Sequence, residues 1–314
     1  MRLTRFTTLA TITSIAALTS LALSGCSTST SASGTGATSG SAGTPIAIVA
    51  STDVYGDIAA QIGGDKVSVT SIIDDPSKDP HEYAADARNQ LSLSKAAIVI
   101  ENGAGYDDFV DTMLQSANNP TAKVLNAADI SGYDQKPADG EFNEHLWYDF
   151  PTVQKVVDSL AATLGALDAA DAPTFTANAD AYKQKLTALE ATEADMKVSF
   201  AGRGAAITEP VPLYMLQAIG LVDKTPGAFS TAIENGTDVA PDVLASTLAL
   251  FSDKQVSVLA YNEQTSGAQT EAVLNAATAA KIAVVPVTET LPSGSSYIGW
   301  MTDNLAALKT ALSQ

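Results

Sequence analysis

The chain predicts an α/β protein with mainly parallel sheets arranged in two lobes, and three observations predict it. Short apolar runs alternate with helical patterns throughout the body. The strand candidates are continuous apolar runs, as parallel strands covered on both faces require. The body after residue 44 has about 270 residues, long enough for two lobes.

The first half opens with a strand at 45–50 and a helix at 54–62. Residues 66–73 alternate as a second strand and run into the loop 74–80, just before His81. A third strand at 96–101 turns through Asn102-Gly103-Ala104-Gly105 into a helix from near Tyr106, and 123–125 reads as a fourth strand. The Pro/Gly/Asp-rich stretch 131–143 is a loop that delivers His145. Residues 151–167 are helical, and another helix follows from an N-cap near Asp171 with Pro173 in its first turn. Its apolar positions Phe175, Ala179, Tyr182, Leu186, Leu189 and Met196 keep a three-and-four spacing over about six turns. That spacing fits an amphipathic surface helix and a strut between lobes equally. The second half repeats the alternation, with strands at 205–208, 255–261 and 282–287 and helices ending near 220 and spanning 268–280 and 297–312. The architecture repeats without an internal sequence repeat.

Arg2 and Arg5 precede an uncharged stretch, residues 6–25, that runs into Cys26: the order of an export signal. A transmembrane anchor is the rival reading, but Thr7, Thr8, Thr11, Thr13, Ser14, Thr19 and Ser20 dilute the stretch and no basic cluster follows it. Residues 1–25 therefore read as a cleaved signal peptide. Cys26 is the only cysteine, which excludes an intramolecular disulfide. Leu23-Ser24-Gly25-Cys26 is similar to the bacterial lipobox, whose cysteine is lipid-modified and becomes the new N-terminus. At about 0.8 kcal/mol per buried methylene, two or more acyl chains would hold the chain on a membrane. Residues 27–44 contain only Ser, Thr, Gly and Ala, so 26–44 reads as a disordered tether. The net charge of −18 excludes nucleic acid as a partner, which needs a basic footprint. An acidic field favours the approach of cations, though acidity alone mostly signals solubility.

Only two histidines occur, in Asp79-Pro80-His81-Glu82-Tyr83 and in Glu144-His145-Leu146-Trp147-Tyr148-Asp149. Each has a carboxylate beside it and an aromatic residue within two positions. An imidazole is the commonest neutral metal ligand, and a nearby carboxylate can orient its second nitrogen. In open α/β sheets ligands bind beyond the carboxyl ends of strands. His81 and His145 fall in such loops of the first half, and Glu209 and Glu289 follow strands of the second. Two ligands from each half would define a site in the cleft between lobes. A mixed His and Glu set suits Mn²⁺ and Fe²⁺ and still accepts Zn²⁺, which binds more tightly than Mn²⁺ by the Irving–Williams order.

Together these segments resemble the metal-binding subunits of bacterial ABC importers for manganese and zinc, the TroA-like solute-binding lipoproteins. Asp79-Pro80-His81-Glu82-Tyr83 is similar to the family's Asp-Pro-His-x-Tyr segment, and Glu101 to Phe109 to its Asn-Gly-x-x-Leu-Glu-x-Trp stretch. His145-Leu146-Trp147-Tyr148-Asp149 matches its His-x-Trp-x-Asp/Ser segment. Thr208-Glu209 stands where the family carries a third ligand, and Thr288-Glu289 where it carries a fourth. Three departures stand out: Glu144 replaces the usual proline, Glu289 replaces the usual aspartate and is one methylene longer, and 131–143 lacks the histidine-rich loop of many zinc-dedicated members.

The resemblance implies a first lobe at 45–170, a long rigid linking helix at 171–198 and a second lobe at 199–314, with the metal site in the cleft. It implies His81, His145, Glu209 and Glu289 as ligands, with Glu263 as a competitor of Glu289 for the fourth position. It further implies a non-enzymatic, monomeric, extracytoplasmic protein, anchored through Cys26, that captures Zn²⁺ or Mn²⁺ and delivers it to an ABC permease. A secreted zinc hydrolase is the alternative of another class, but it calls for an open coordination position and usually a His-Glu-x-x-His helix, absent here. An adhesin or a non-metal solute receptor on the same scaffold is a further alternative. Trp147, Tyr148 and Tyr106 read as packing residues, and Glu82 and Asp149 as exposed carboxylates or as orienters of the histidines.

Overall fold

The computed structural model describes residues 44–75, 83, 86–138 and 140–314. The proposed signal, lipobox, Cys26 and most of the tether lie outside the described residues, as do His81 and Glu82. Among the described residues no helix is long and apolar enough to cross a membrane.

The first half runs β1 (Ile46–Thr52), α1 (Asp53–Gly63), β2 (Val67–Ile73), α2 (Ala87–Leu93), β3 (Ile98–Glu101), α3 (Phe109–Ala117), β4 (Lys123–Asn126), α4 (Ala127–Ser131) and α5 (Phe150–Leu167). After α6 (Ala172–Phe200) the second half runs β5 (Gly204–Ile207), α7 (Leu213–Ala218), β6 (Val222–Asp223), α8 (Gly227–Glu234), α9 (Pro241–Ser252), β7 (Val258–Asn262), α10 (Ala268–Ala279), β8 (Ala283–Val287) and α11 (Tyr297–Leu312). Two four-stranded sheets result, ordered β2-β1-β3-β4 and β6-β5-β7-β8, with every pair parallel. The α/β class and the parallel sheets are therefore as expected. Strand order reverses direction between β1 and β3 and between β5 and β7, so each sheet has a switch point at its carboxyl edge.

Burial separates central from edge strands. β3, β5 and β7 are buried at every position, while β2 alternates between half-buried and exposed over most of its length. Continuous burial on both faces thus holds for β3, β5 and β7 and for β1 from Ile48 on, and fails at the edges, where one side meets solvent. The helix expected from Tyr106 starts at Phe109, because Gly103 and Gly105 hold positive φ of 78° and 98° and spend the intervening residues on turns. A Cβ on Gly103 would lie 2.3 Å from the Asn126 side chain.

α6 is buried along one stripe, Phe175, Ala179, Tyr182, Leu186, Leu189, Glu193, Met196 and Phe200, in unbroken four-and-three spacing. At 1.5 Å per residue its 29 residues span about 43 Å. The stripe packs against α5 and α1 of the first half and against α11 and α7 of the second. Both sheets share one apolar cluster through this helix, reaching from Ile48 and Ile100 through Trp147, Phe175 and Met196 to Ile207, Tyr297 and Trp300.

One member of the stripe is a carboxylate. Burial, with Glu190 and Asp149 nearby, pushes the Glu193 carboxyl up from 4.5 to about 8. The folded chain therefore keeps a proton that the unfolded chain releases, and stability falls as pH rises from 4.5 towards 8. Glu193→Gln removes the contribution of this residue, on the order of a few kcal/mol at most. Urea unfolding at pH 5 and pH 8.5 is expected to show a smaller loss of stability in the variant than in the parent.

Candidate metal centre

The second half brings two of the expected ligands together. Glu209 lies beyond β5 and Glu289 beyond β8, and each is 2% exposed. Asn262, the last residue of β7, lies between them: its Nδ2 donates to Glu209 Oε2 at 2.5 Å and to Glu289 Oε1 at 2.8 Å. The amide orientation is set by its other end, where Oδ1 accepts the backbone N–H of Gln264 at 3.1 Å. Thr265 Oγ1 also donates to Glu209 Oε2. Gln264 Oε1 accepts the N–H of Glu289 at 2.5 Å, which holds the loop after β8. Two carboxylates gathered on one neutral donor in a buried place concentrate negative charge where a divalent cation is strongly favoured. Glu263, one residue beyond the end of β7, is exposed.

The first half supplies His145, which is fully buried. Its segment is held at several points. Asn102, just beyond β3, donates from Nδ2 to the carbonyl of Glu144 at 2.9 Å, and its Oδ1 accepts from Tyr55 Oη at 2.6 Å. Asp107 in turn accepts the N–H groups of Asn102 and Gly103 at 2.6 and 2.8 Å. Glu144, in place of a proline, thus contributes its backbone carbonyl. Asn143 Oδ1 lies 2.7 Å from His145 Nδ1 and accepts the His145 N–H at 3.2 Å, while Asn143 Nδ2 donates to Pro210 O at 3.1 Å. The carbonyl of Pro210 only accepts, so the amide is fixed with Oδ1 towards the imidazole, and Nδ1 carries the proton. In the neutral ring the lone pair is then on Nε2, the state required of a ligand. Trp147 and Tyr106 wall the imidazole at centroid distances of 5.2 and 6.1 Å.

His145 Nε2 is 3.5 Å from Glu234 Oε1, at the end of α8. Sequence reasoning missed Glu234, Asn143 and Asn262, which no motif marks, and it read Asn102 only as part of the turn after β3 and of the Asn-Gly segment, without a role toward His145. Asp149 caps α5 through the Thr152 N–H at 3.2 Å and accepts from Tyr133 Oη at 2.9 Å. It is a helix cap, and none of its hydrogen bonds goes to His145. Trp147, Tyr148 and Tyr106 are buried in the shared core, as expected. Among the described residues no three His, Cys, Asp or Glu side chains form one metal-sized cluster. They form two pairs, Glu209 with Glu289 and His145 with Glu234, and His81 lies outside the described residues.

This architecture and site define a two-lobed solute-binding class, and the chain belongs to the family described as zinc-uptake complex component A, periplasmic (ZnuA), whose model matches residues 48–311. It is similar to the manganese ABC transporter substrate-binding lipoprotein scaA of Streptococcus gordonii, 24% identical over 287 residues that cover 87% of this chain and 91% of the relative. Among solved structures its fold matches the periplasmic zinc-binding protein TroA of Treponema pallidum, with a TM-score of 0.71 and 19% identity over 86% of this chain and 99% of that one. It also matches FpvC of Pseudomonas aeruginosa in complex with Mn²⁺, with a TM-score of 0.70 and 22% identity over 86% and 99%.

The fixed tautomer yields a prediction. Asn143→Ala removes the acceptor that orients His145 and is expected to weaken Zn²⁺ binding about 10- to 100-fold, read by competition with a chromophoric chelator. Asn143→Asp keeps an acceptor for Nδ1 and is expected to retain more of the affinity.

Proposed function

We propose that this chain is an extracytoplasmic receptor that captures Zn²⁺ or Mn²⁺ and hands it to an ABC permease. The observation that carries this reading is the pairing of Glu209 and Glu289 on Asn262 beyond the carboxyl edge of the second sheet. His145 supports it from the first half, with Nε2 left as the ligand atom by the Asn143 bond. His81, which follows β2 in the sequence, completes the set of four with His145, Glu209 and Glu289. Glu289 rather than Glu263 supplies the fourth contact, because Glu289 is buried beside Glu209 whereas Glu263 is exposed. The ion is cargo, and four protein donors leave little room for an activated water, so the protein catalyses no reaction.

The lobes are 45–170 and 199–314 with 171–198 between them, and the protein acts as a monomer. Residues 1–25 are removed on export, and Cys26 carries the lipid that keeps the tethered body at the membrane beside its permease. Relatives are named for manganese, zinc and iron, and all three divalent ions fit the same donor set.

Calorimetric titration of the purified chain with Zn²⁺ and with Mn²⁺ tests this. One ion per chain is expected, with affinity reduced at least about 100-fold in His81→Ala, His145→Ala, Glu209→Gln and Glu289→Gln and unchanged in Glu263→Gln. A parent chain that binds neither ion overturns the reading. Metal at 100 times Kd is expected to stabilise the fold by about 2.7 kcal/mol, and chelation to remove that increment.

A further inference from the structure

Glu234 has no place in the ligand set drawn from the family segments, yet it is the carboxylate that meets His145. It is the last residue of α8, and its side chain is only 15% exposed. A carboxylate at a helix C-terminus opposes the macrodipole. A residue that conflicts with its local setting marks a place where function has overridden stability.

The distance is informative. His145 Nε2 and Glu234 Oε1 are 3.5 Å apart, longer than the usual N–H···O hydrogen bond of about 2.9 Å. Two donor atoms that share one ion, each about 2.1 Å from it and subtending 90–120°, are roughly 3.0–3.6 Å apart. Because Asn143 keeps the proton on Nδ1, Nε2 and Oε1 face each other as two electron-pair donors at the spacing of a shared cation. α8 is held over this place by Thr231, whose Oγ1 reaches Glu141 Oε2 at 3.5 Å, two residues before Asn143.

We propose that Glu234 is a fifth donor to the captured ion, bound beside His145, and that it biases the site towards Mn²⁺ over Zn²⁺. This rests on the metal-receptor reading above and adds to it a residue and a direction of selectivity. Zn²⁺ is satisfied by four donors in a tetrahedron, so a fifth contributes little to it. Mn²⁺ favours hard oxygen and more donors, and it gains from another carboxylate.

Glu234→Gln in the full chain keeps the volume of the side chain and removes the charged donor. Titrations with Mn²⁺ and with Zn²⁺ are expected to show at least a tenfold loss for Mn²⁺ and less than a threefold change for Zn²⁺. The electron paramagnetic resonance spectrum of bound Mn²⁺ is expected to change with the lost oxygen, and Glu234→Asp to recover part of the Mn²⁺ affinity. Equal losses for the two ions, with an unchanged spectrum, would make Glu234 a positioning residue for His145 and overturn the proposal. No loss for either ion would also overturn it, leaving the four-donor reading intact. A parent chain that binds neither ion removes both readings at once.

Discussion

Asn143 carries hydrogen bonds in opposite directions across the molecule. Its Nδ2 reaches Pro210 in the second half, its Oδ1 takes the Nδ1 proton of His145, and its own carbonyl accepts from Tyr214 Oη at 2.8 Å. The residues that follow continue the pattern. Trp147 O accepts from Tyr297 Oη at 2.5 Å, and Tyr148 Oη donates to Thr288 O at 2.9 Å, next to Glu289. The imidazole is therefore positioned by groups of the second half although its segment, between α4 and α5, belongs to the first. The Tyr297 bond is buried and the others are partly buried, so a broken one would leave a polar group poorly solvated, at a cost of up to about 1–3 kcal/mol where burial is complete. The place of His145 relative to Glu209 and Glu289 follows from this one stitched segment.

The shared core sets what can move. Separating the halves would expose Trp147, Phe175, Leu186, Met196, Tyr297 and Trp300, each buried to within a few per cent. At roughly 1.5–3 kcal/mol per large apolar side chain, that exposure approaches or exceeds the 5–15 kcal/mol that stabilises a whole domain. Backbone contacts add to it, since Asp53 Oδ1 accepts from Leu291 N at 3.1 Å and Asp57 Oδ2 from Tyr297 N at 2.9 Å. A wide hinge opening about α6 is thus disfavoured.

What was legible in the sequence followed physical contrast. Central strands were found because burial on both faces makes them continuous apolar runs, and α6 because its stripe repeats for the whole helix. Glu193 was passed over in that stripe because a charged residue looks solvent-facing, although the spacing places it inside. Residues 221–234 carry little local signal, because β6 has two residues and α8 begins at Gly227 with no side-chain cap. Glu234 was lost with them. That Glu263 is exposed and Glu289 buried needed three dimensions, because both follow strands in the sequence and nothing local separates them.

The roles of the asparagines were hidden for a different reason, and they show how the two halves work alike. β1 pairs with β3 so that Ala50 faces Ile100, and β5 with β7 so that Ile207 faces Ala260. Asn102 and Asn262 therefore stand at equivalent positions, two residues past these pairs, at the switch point of each sheet. Both are 0% exposed, and both aim a side-chain amide at the site: Asn102 at the carbonyl before His145, Asn262 at Glu209 and Glu289. An amide suits this place because it donates firmly without adding charge. A lysine there would neutralise the carboxylates and compete with the ion, whereas an apolar residue would leave them unoriented. With no sequence repeat to announce it, the same physical requirement has placed the same side chain at the same topological point in each half.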